Sequence, residues 1–161
     1  MTTIEYNHCV DTHADGVYRF ILKNIKDKDK AGDIVQDAFV KMWEKVRNIT
    51  FEKSKSYLFT AAYHTMIDYI RKDKNNKSPD DLGKFDRGHE SGYSDLKEIL
   101  DEAVSRLPEI QRSVLLLRDY EGYSYKEIGE ITNLNESQVK VYIYRARIFM
   151  KNYLVSIDHV I

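Results

Sequence analysis

The chain has a single cysteine, Cys9, in 161 residues, so an intrachain disulfide is impossible and a reducing compartment suits it. Two prolines, Pro79 and Pro108, and seven glycines leave little turn-forming material, which disfavours a turn-rich all-β fold. No apolar run approaches the ~20 residues of a membrane span, so no intrinsic membrane segment is expected. Residues Met1 to Val10 lack the basic and apolar blocks of a signal peptide, and the cytoplasm is the expected location. There is no glycine-rich phosphate loop and no nucleophile elbow. His8, Cys9 and His13 do not have the spacing of a metal site, and no second ligand pair follows them. No catalytic residue, metal or cofactor is therefore expected.

The apolar fraction is 42 % and the charged fraction 32 % with mixed sign, which allows a packed core and argues against wholesale disorder. The net charge is −1 for the whole chain, but its distribution is uneven: +3 over residues 1–78, −3 over 79–95 and −1 over 96–161. Within the last part, Gln138 to Lys151 holds Lys140, Arg145, Arg147 and Lys151 and no acid. Such a local basic segment is the footprint of a DNA reader. The main compositional break is NNKSPDDLGKFDRGHESGYS, Asn75 to Ser94, with Pro79, Gly83, Gly88 and Gly92 and no helical period. It reads as a flexible linker. The expected fold is all-α: two small helical modules, 1–75 and 95–161, joined by the linker 76–94.

In the first module, Val17, Phe20, Ile21 and Asn24 place a helix over Asp11–Asn24, and Asp27–Lys30 reads as a charged turn. Ala31, Ile34, Val35, Ala38, Phe39, Met42, Trp43 and Val46 then lay one apolar stripe along a helix. Phe39, Met42 and Trp43 are expected in the core. Thr50–Lys55 breaks the pattern. Ser56–Lys72 is a further helix with Leu58, Ala61, Ala62, Thr65 and Tyr69 on one side, and its basic end suits a helix C-terminus. In the second module, Asp95–Arg106 is a helix and Pro108 opens the next, where a missing N–H costs nothing. Ser124 caps a short helix with Glu127 at capping-box spacing. After Thr132-Asn133-Leu134, Asn135 caps a last helix whose Val139, Ile143, Ala146 and Met150 face inward.

Ser124–Arg147 has helix-turn-helix spacing: a helix of about eight residues, a turn of about three, then a longer basic helix. Gly129 sits where the two helices approach. The outer face of the second helix can present its first residues to base edges and its cations to phosphates. An αα-hairpin with a solvated basic face has the same spacing.

The run RLPEIQRSVLLLRDYEGYSYKEIGEITNLNESQVKVYIYRARIFMK, Arg106–Lys151, resembles the C-terminal module of extracytoplasmic-function (ECF) type RNA polymerase sigma factors. Leu107, Pro108, Arg112, Val114, Leu117, Gly122, Ser124, Glu127, Ile128, Val139, Lys140, Arg145, Ala146 and Arg147 match that pattern. AGDIVQDAFVKMW (Ala31–Trp43) and SYLFTAAYHTMIDYIRK (Ser56–Lys72) resemble the two motifs of the family's first module. The chain departs from the pattern at Gly32, Tyr57, His64, Gly129 and Gln138, where the family has Glu, Trp, Asn, Ala and Thr.

The resemblance implies a promoter-specificity factor for core RNA polymerase rather than an enzyme. It implies that the Ala31–Trp43 helix docks on a coiled coil of the clamp-bearing polymerase subunit, with Asp33, Gln36, Asp37 and Lys41 making polar contacts. Pattern alone would leave that face merely solvated. It implies that Tyr63, His64, Asp68, Arg71, Lys72 and Lys74 meet the melted promoter element. Asp68 and Arg71 are also spaced for an ion pair, and Tyr57 and Tyr69 read as core. It implies that Glu136, Ser137, Gln138, Lys140, Val141, Tyr144, Arg145 and Arg147 read the upstream duplex, with Arg112 adding a phosphate contact. The implied partners are core RNA polymerase, promoter DNA and an anti-sigma factor, held at a membrane in many relatives. A monomer is expected.

Overall fold

A computed structural model of the chain describes residues 1–76 and 93–158. Residues 77–92, most of the expected linker, lie outside the described residues. Among the described residues there are seven α-helices and no strand.

Helix α1 spans Thr3–Ile25, longer than the apolar period alone suggests. Its start is set by a capping box: the Thr2 hydroxyl accepts from the Glu5 N–H at 3.1 Å, and the Glu5 carboxylate accepts from the Thr2 N–H at 2.9 Å. Lys26 ends it in the left-handed region, at φ 57°. Asp27–Lys30 is not a free turn. Asp27 caps α2, Lys28–Glu44, by accepting from the Lys30 N–H at 3.1 Å. The next break falls at residues 45–50, earlier than the sequence pattern places it, and contains a 3-10 turn, Val46–Asn48. Helix α3 then runs Phe51–Asn76. The three helices pack on Val17, Phe20, Ile21, Ala38, Met42, Leu58, Phe59 and Met66, all buried.

Helix α4 covers Tyr93–Ser105 and α5 covers Glu109–Leu115, opened by Pro108 and continued by a π-helical turn, Leu116–Tyr120. Helix α6, Tyr125–Thr132, starts on the expected box. The Ser124 hydroxyl accepts from the Glu127 N–H at 3.1 Å, and the Glu127 carboxylate accepts from the Ser124 N–H at 3.2 Å. Asn133 turns the chain at φ 60°. Asn135 and Gln138 cap α7, Glu136–Asp158, reciprocally at 2.8 and 3.0 Å. Val139, Ile143 and Ala146 face inward and Met150 is half-buried, as their spacing predicts.

The α6–α7 corner is tight. A Cβ on Gly129 would stand 2.6 Å from the Leu134 carbonyl oxygen, a backbone atom that cannot step aside. Gly129→Ala should therefore destabilise the protein by about 1–2 kcal/mol, overpacking outweighing the ~1 kcal/mol that alanine gains in a helix. A chemical-denaturation midpoint measures it; an unchanged or raised midpoint would refute the close approach.

The two modules share one core. Phe59 on α3 packs between Phe20 of α1, ring centroids 6.1 Å apart, and Tyr123, which meets it edge-on at 4.8 Å. Buried residues of both modules form one continuous cluster, with a smaller one around Leu107, Leu115 and Ala146. Among the described residues, no helix is long and apolar enough to cross a membrane.

Candidate nucleic-acid and polymerase interfaces

Helix α7 is anchored by its inner residues and leaves its outer face open. Glu136, Ser137, Gln138, Lys140, Val141, Tyr144 and Arg145 are exposed there, Tyr144 at 67 %. Gln138 is partly engaged, because its amide oxygen caps Asn135. The Lys140 ammonium lies 5.5 Å from the Tyr125 ring centroid, over which the Arg118 guanidinium also stacks at 4.4 Å. Arg145 forms no ion pair with a described residue.

Two arginines expected at DNA are already engaged. Arg147 makes a bidentate pair with Asp119, Nη2 to Oδ1 at 2.6 Å and Nε to Oδ2 at 3.1 Å. That pair pushes the guanidinium pKa up and ties α7 to the π-helical turn. Arg112 is largely withdrawn from the surface. Its Nε donates to Asn24 Oδ1 on α1 at 2.8 Å, and burial lowers its pKa. In this arrangement it faces the first module rather than a phosphate. Asn24 is the receiving node: buried itself, it donates to the Phe20 carbonyl at 2.9 Å.

Helix α3 splits its candidates between two faces. His64, Asp68, Arg71, Lys72 and Lys74 reach solvent. Asp68 and Arg71 form no ion pair with each other. Tyr63 is only 6 % exposed, which corrects its expected place on the DNA-facing surface. Burial first, and then nearby Glu109, push its phenol up to about 12. The adjacent positions differ because successive helical residues point ~100° apart. Tyr63 lies on the same side of α3 as Lys55 and Phe59, of which Lys55 pairs with Glu127 at 3.5 Å and Phe59 meets Tyr123 edge-on at 4.8 Å. Tyr57 and Tyr69 are half-buried against the core, as expected.

On α2, Asp33, Gln36, Asp37 and Lys41 all reach solvent. Lys41 pairs with Asp37 at 3.0 Å and donates to Thr65 of α3 at 3.0 Å, so the charges are held in place across two helices. Trp43, expected in the core, is 47 % exposed; Met42 takes the inward position and Trp43 leans edge-on against Tyr6 at 4.9 Å. Phe39 is half-buried as core packing requires.

Residues 9–76 match the family Sigma-70 region 2, and residues 97–150 match Sigma-70, region 4. The RNA polymerase sigma factor SigV of Bacillus subtilis (strain 168) is 33 % identical over 93 % of this chain and 91 % of its own length. The ECF RNA polymerase sigma factor SigM of the same organism is 34 % identical over 84 % of this chain and 86 % of its own. The chain belongs to the ECF-type RNA polymerase sigma factors. This sigma factor accordingly serves transcription initiation, with regions 2 and 4 as its two modules. Its fold is shared with the sigma factor RpoE of Bartonella quintana, solved in complex with the anti-sigma factor NepR: TM-score 0.76 at 24 % identity, over 92 % of this chain and 96 % of that one.

The sequence gives little warning of the cross-module pairs. Arg19 of α1 pairs with Glu121 at 2.7 Å and Lys23 with Asp101 at 3.2 Å, and neither these residues nor Asn24 carry a motif.

Proposed function

We propose that this sigma factor grips core RNA polymerase through the outer face of α2 and reads an upstream duplex element with the first half of α7. Exposed α3 residues then hold the melted strand. On α2 the contacts are Asp33, Gln36, Asp37 and Lys41. On α7, Glu136, Ser137, Gln138, Lys140, Val141, Tyr144 and Arg145 face the groove, while Arg147 orients the helix through Asp119. On α3, Arg71, Lys72 and Lys74 follow the backbone while His64 and Asp68 meet base edges. The reading rests above all on α7: its inner side is locked into the core, while Arg145 and an exposed Tyr144 stand outward. The chain acts as an adaptor, and RNA synthesis belongs to the polymerase.

The net charge of −1 limits what the free chain does alone. Non-specific affinity scales with the phosphates neutralised, so the polymerase supplies most of the electrostatic attraction. An anti-sigma partner, as in the RpoE complex, and a cytoplasmic, monomeric working state complete the proposal.

The test is transcription by bacterial core polymerase on genomic fragments from the source organism, with and without the protein. New discrete start sites are expected only when it is present. No new transcript, together with no co-elution with core polymerase, would leave a helix-turn-helix regulator that works without polymerase.

A further inference from the structure

Helix α7 opens on a reciprocal cap. The Gln138 N–H donates to Asn135 Oδ1 at 2.8 Å, and Gln138 Oε1 accepts from the Asn135 N–H at 3.0 Å. An amide carries its acceptor and its donor on two diverging arms of one planar group. With Oε1 turned back to the helix start, the Nε2 arm is left to face outward. Gln138 is exposed, and it stands in line with Val141 and Arg145 on the outer face, three and seven residues on. It is also a position where the chain departs from the family pattern, with glutamine for threonine.

We infer that this cap makes Gln138 a donor-only reader, which selects guanine rather than adenine at one base pair of the upstream duplex element. The inference rests on the reading of α7 as the duplex-reading helix. A free glutamine pairs with adenine through both arms, the oxygen accepting from N6 and the nitrogen donating to N7. Here that oxygen is committed. Offering it to adenine would open the cap and leave the Asn135 N–H unpaired beneath the DNA, and an unpaired buried donor is costly. Guanine asks for no acceptor. Its major-groove edge shows N7 and O6, and the two Nε2 hydrogens serve both. Cytosine shows a donor, N4, which the outward arm cannot accept, and thymine offers one acceptor, O4, against guanine's two.

The experiment uses holoenzyme assembled from bacterial core polymerase and the full chain. Duplexes randomised upstream of the start site are selected for binding and sequenced. Gln138→Glu is the decisive variant. Its carboxylate keeps the box by accepting from the Asn135 N–H, but turns the outward arm from donor to acceptor. The unmodified chain should favour guanine over adenine by about tenfold at one upstream position, within the range of one good base contact. Gln138→Glu should move that position to cytosine, whose N4 donates to a carboxylate, without lowering the melting temperature. Gln138→Leu, which has neither arm, should show no preference there. Adenine selected by the unmodified chain at the position that Gln138→Leu erases would overturn the inference. So would a selected sequence that neither Gln138 variant alters. Arg145→Ala separates this inference from the reading beneath it. If upstream bases are selected and then lost with Arg145→Ala but not with the Gln138 variants, α7 reads the duplex and only the donor rule fails. If the unmodified chain selects no upstream base, the reading of α7 fails and the inference falls with it.

Discussion

Replacing Lys140 and Arg145 together by alanine is expected to lower promoter-specific transcription by about 100-fold, at roughly 1–3 kcal/mol for each side chain withdrawn from a base or its backbone. Both side chains stand on the outer face of α7, while Val139, Ile143 and Ala146 hold the helix from within. Neither cation is needed by the fold. Lys140 only leans over the Tyr125 ring, and Arg145 has no ion-pair partner among the described residues. The melting temperature should therefore change little, within the ~0.5 kcal/mol typical of surface substitutions. Arg147→Ala should behave differently. It removes the bidentate pair with Asp119, so its effect should appear first in stability and only then in transcription. Run-off transcription with core polymerase, alongside thermal melting, separates these outcomes. If the Lys140/Arg145 variant initiates normally, α7 is a solvated helix and not the duplex reader. If it melts early, the transcription result says nothing about recognition.

Charge reversal on α2 is expected to be equally severe. Asp33→Arg with Asp37→Arg should weaken binding to core polymerase by about 100-fold or more, because like charges set against each other at an interface cost several kcal/mol. The folded chain should tolerate the change. Among the described residues, the ion pair it breaks is Asp37–Lys41, a half-exposed (i, i+4) contact at 3.0 Å. Such pairs contribute about 0.3–0.5 kcal/mol. Titration of labelled core polymerase measures the effect, and the salt dependence of the association rate reports whether the acids steer the encounter. Unchanged affinity would return this face to the simpler reading, a helix side that merely keeps the chain in solution. The Lys140/Arg145 variant is the control, since it should bind core polymerase as the unmodified chain does.

Much of the fold is legible locally. The Ser124–Glu127 box and the Asn135 cap set the helix-turn-helix, and both form with the expected spacing. The stripe from Ala31 to Met42 turns inward as its period requires. Where boundaries differ, a local signal competes with periodicity. Thr2 and Glu5 have the same box spacing, which starts α1 well before its first buried residue, Cys9. The interfaces are less legible. Tyr63 and His64 are neighbours in the same motif, yet one is buried and the other exposed. Periodicity tells which residues share a face, but not whether a distant helix will cover it.

The sequence by itself determined the helices, their caps, the place of the compositional break and the two motif groups that mark a sigma factor. These depend on residues within a turn or two of each other, where hydrogen-bond geometry and side-chain period leave few alternatives. Only the tertiary structure decided that Arg112 bonds Asn24 across 88 positions and that Arg19 meets Glu121 across 102. It also decided that Trp43 stands outside while Tyr63 lies within. Such partners are chosen by which surfaces exclude water together and which charges meet at their rim. That choice belongs to the packed molecule and not to any local stretch of the chain.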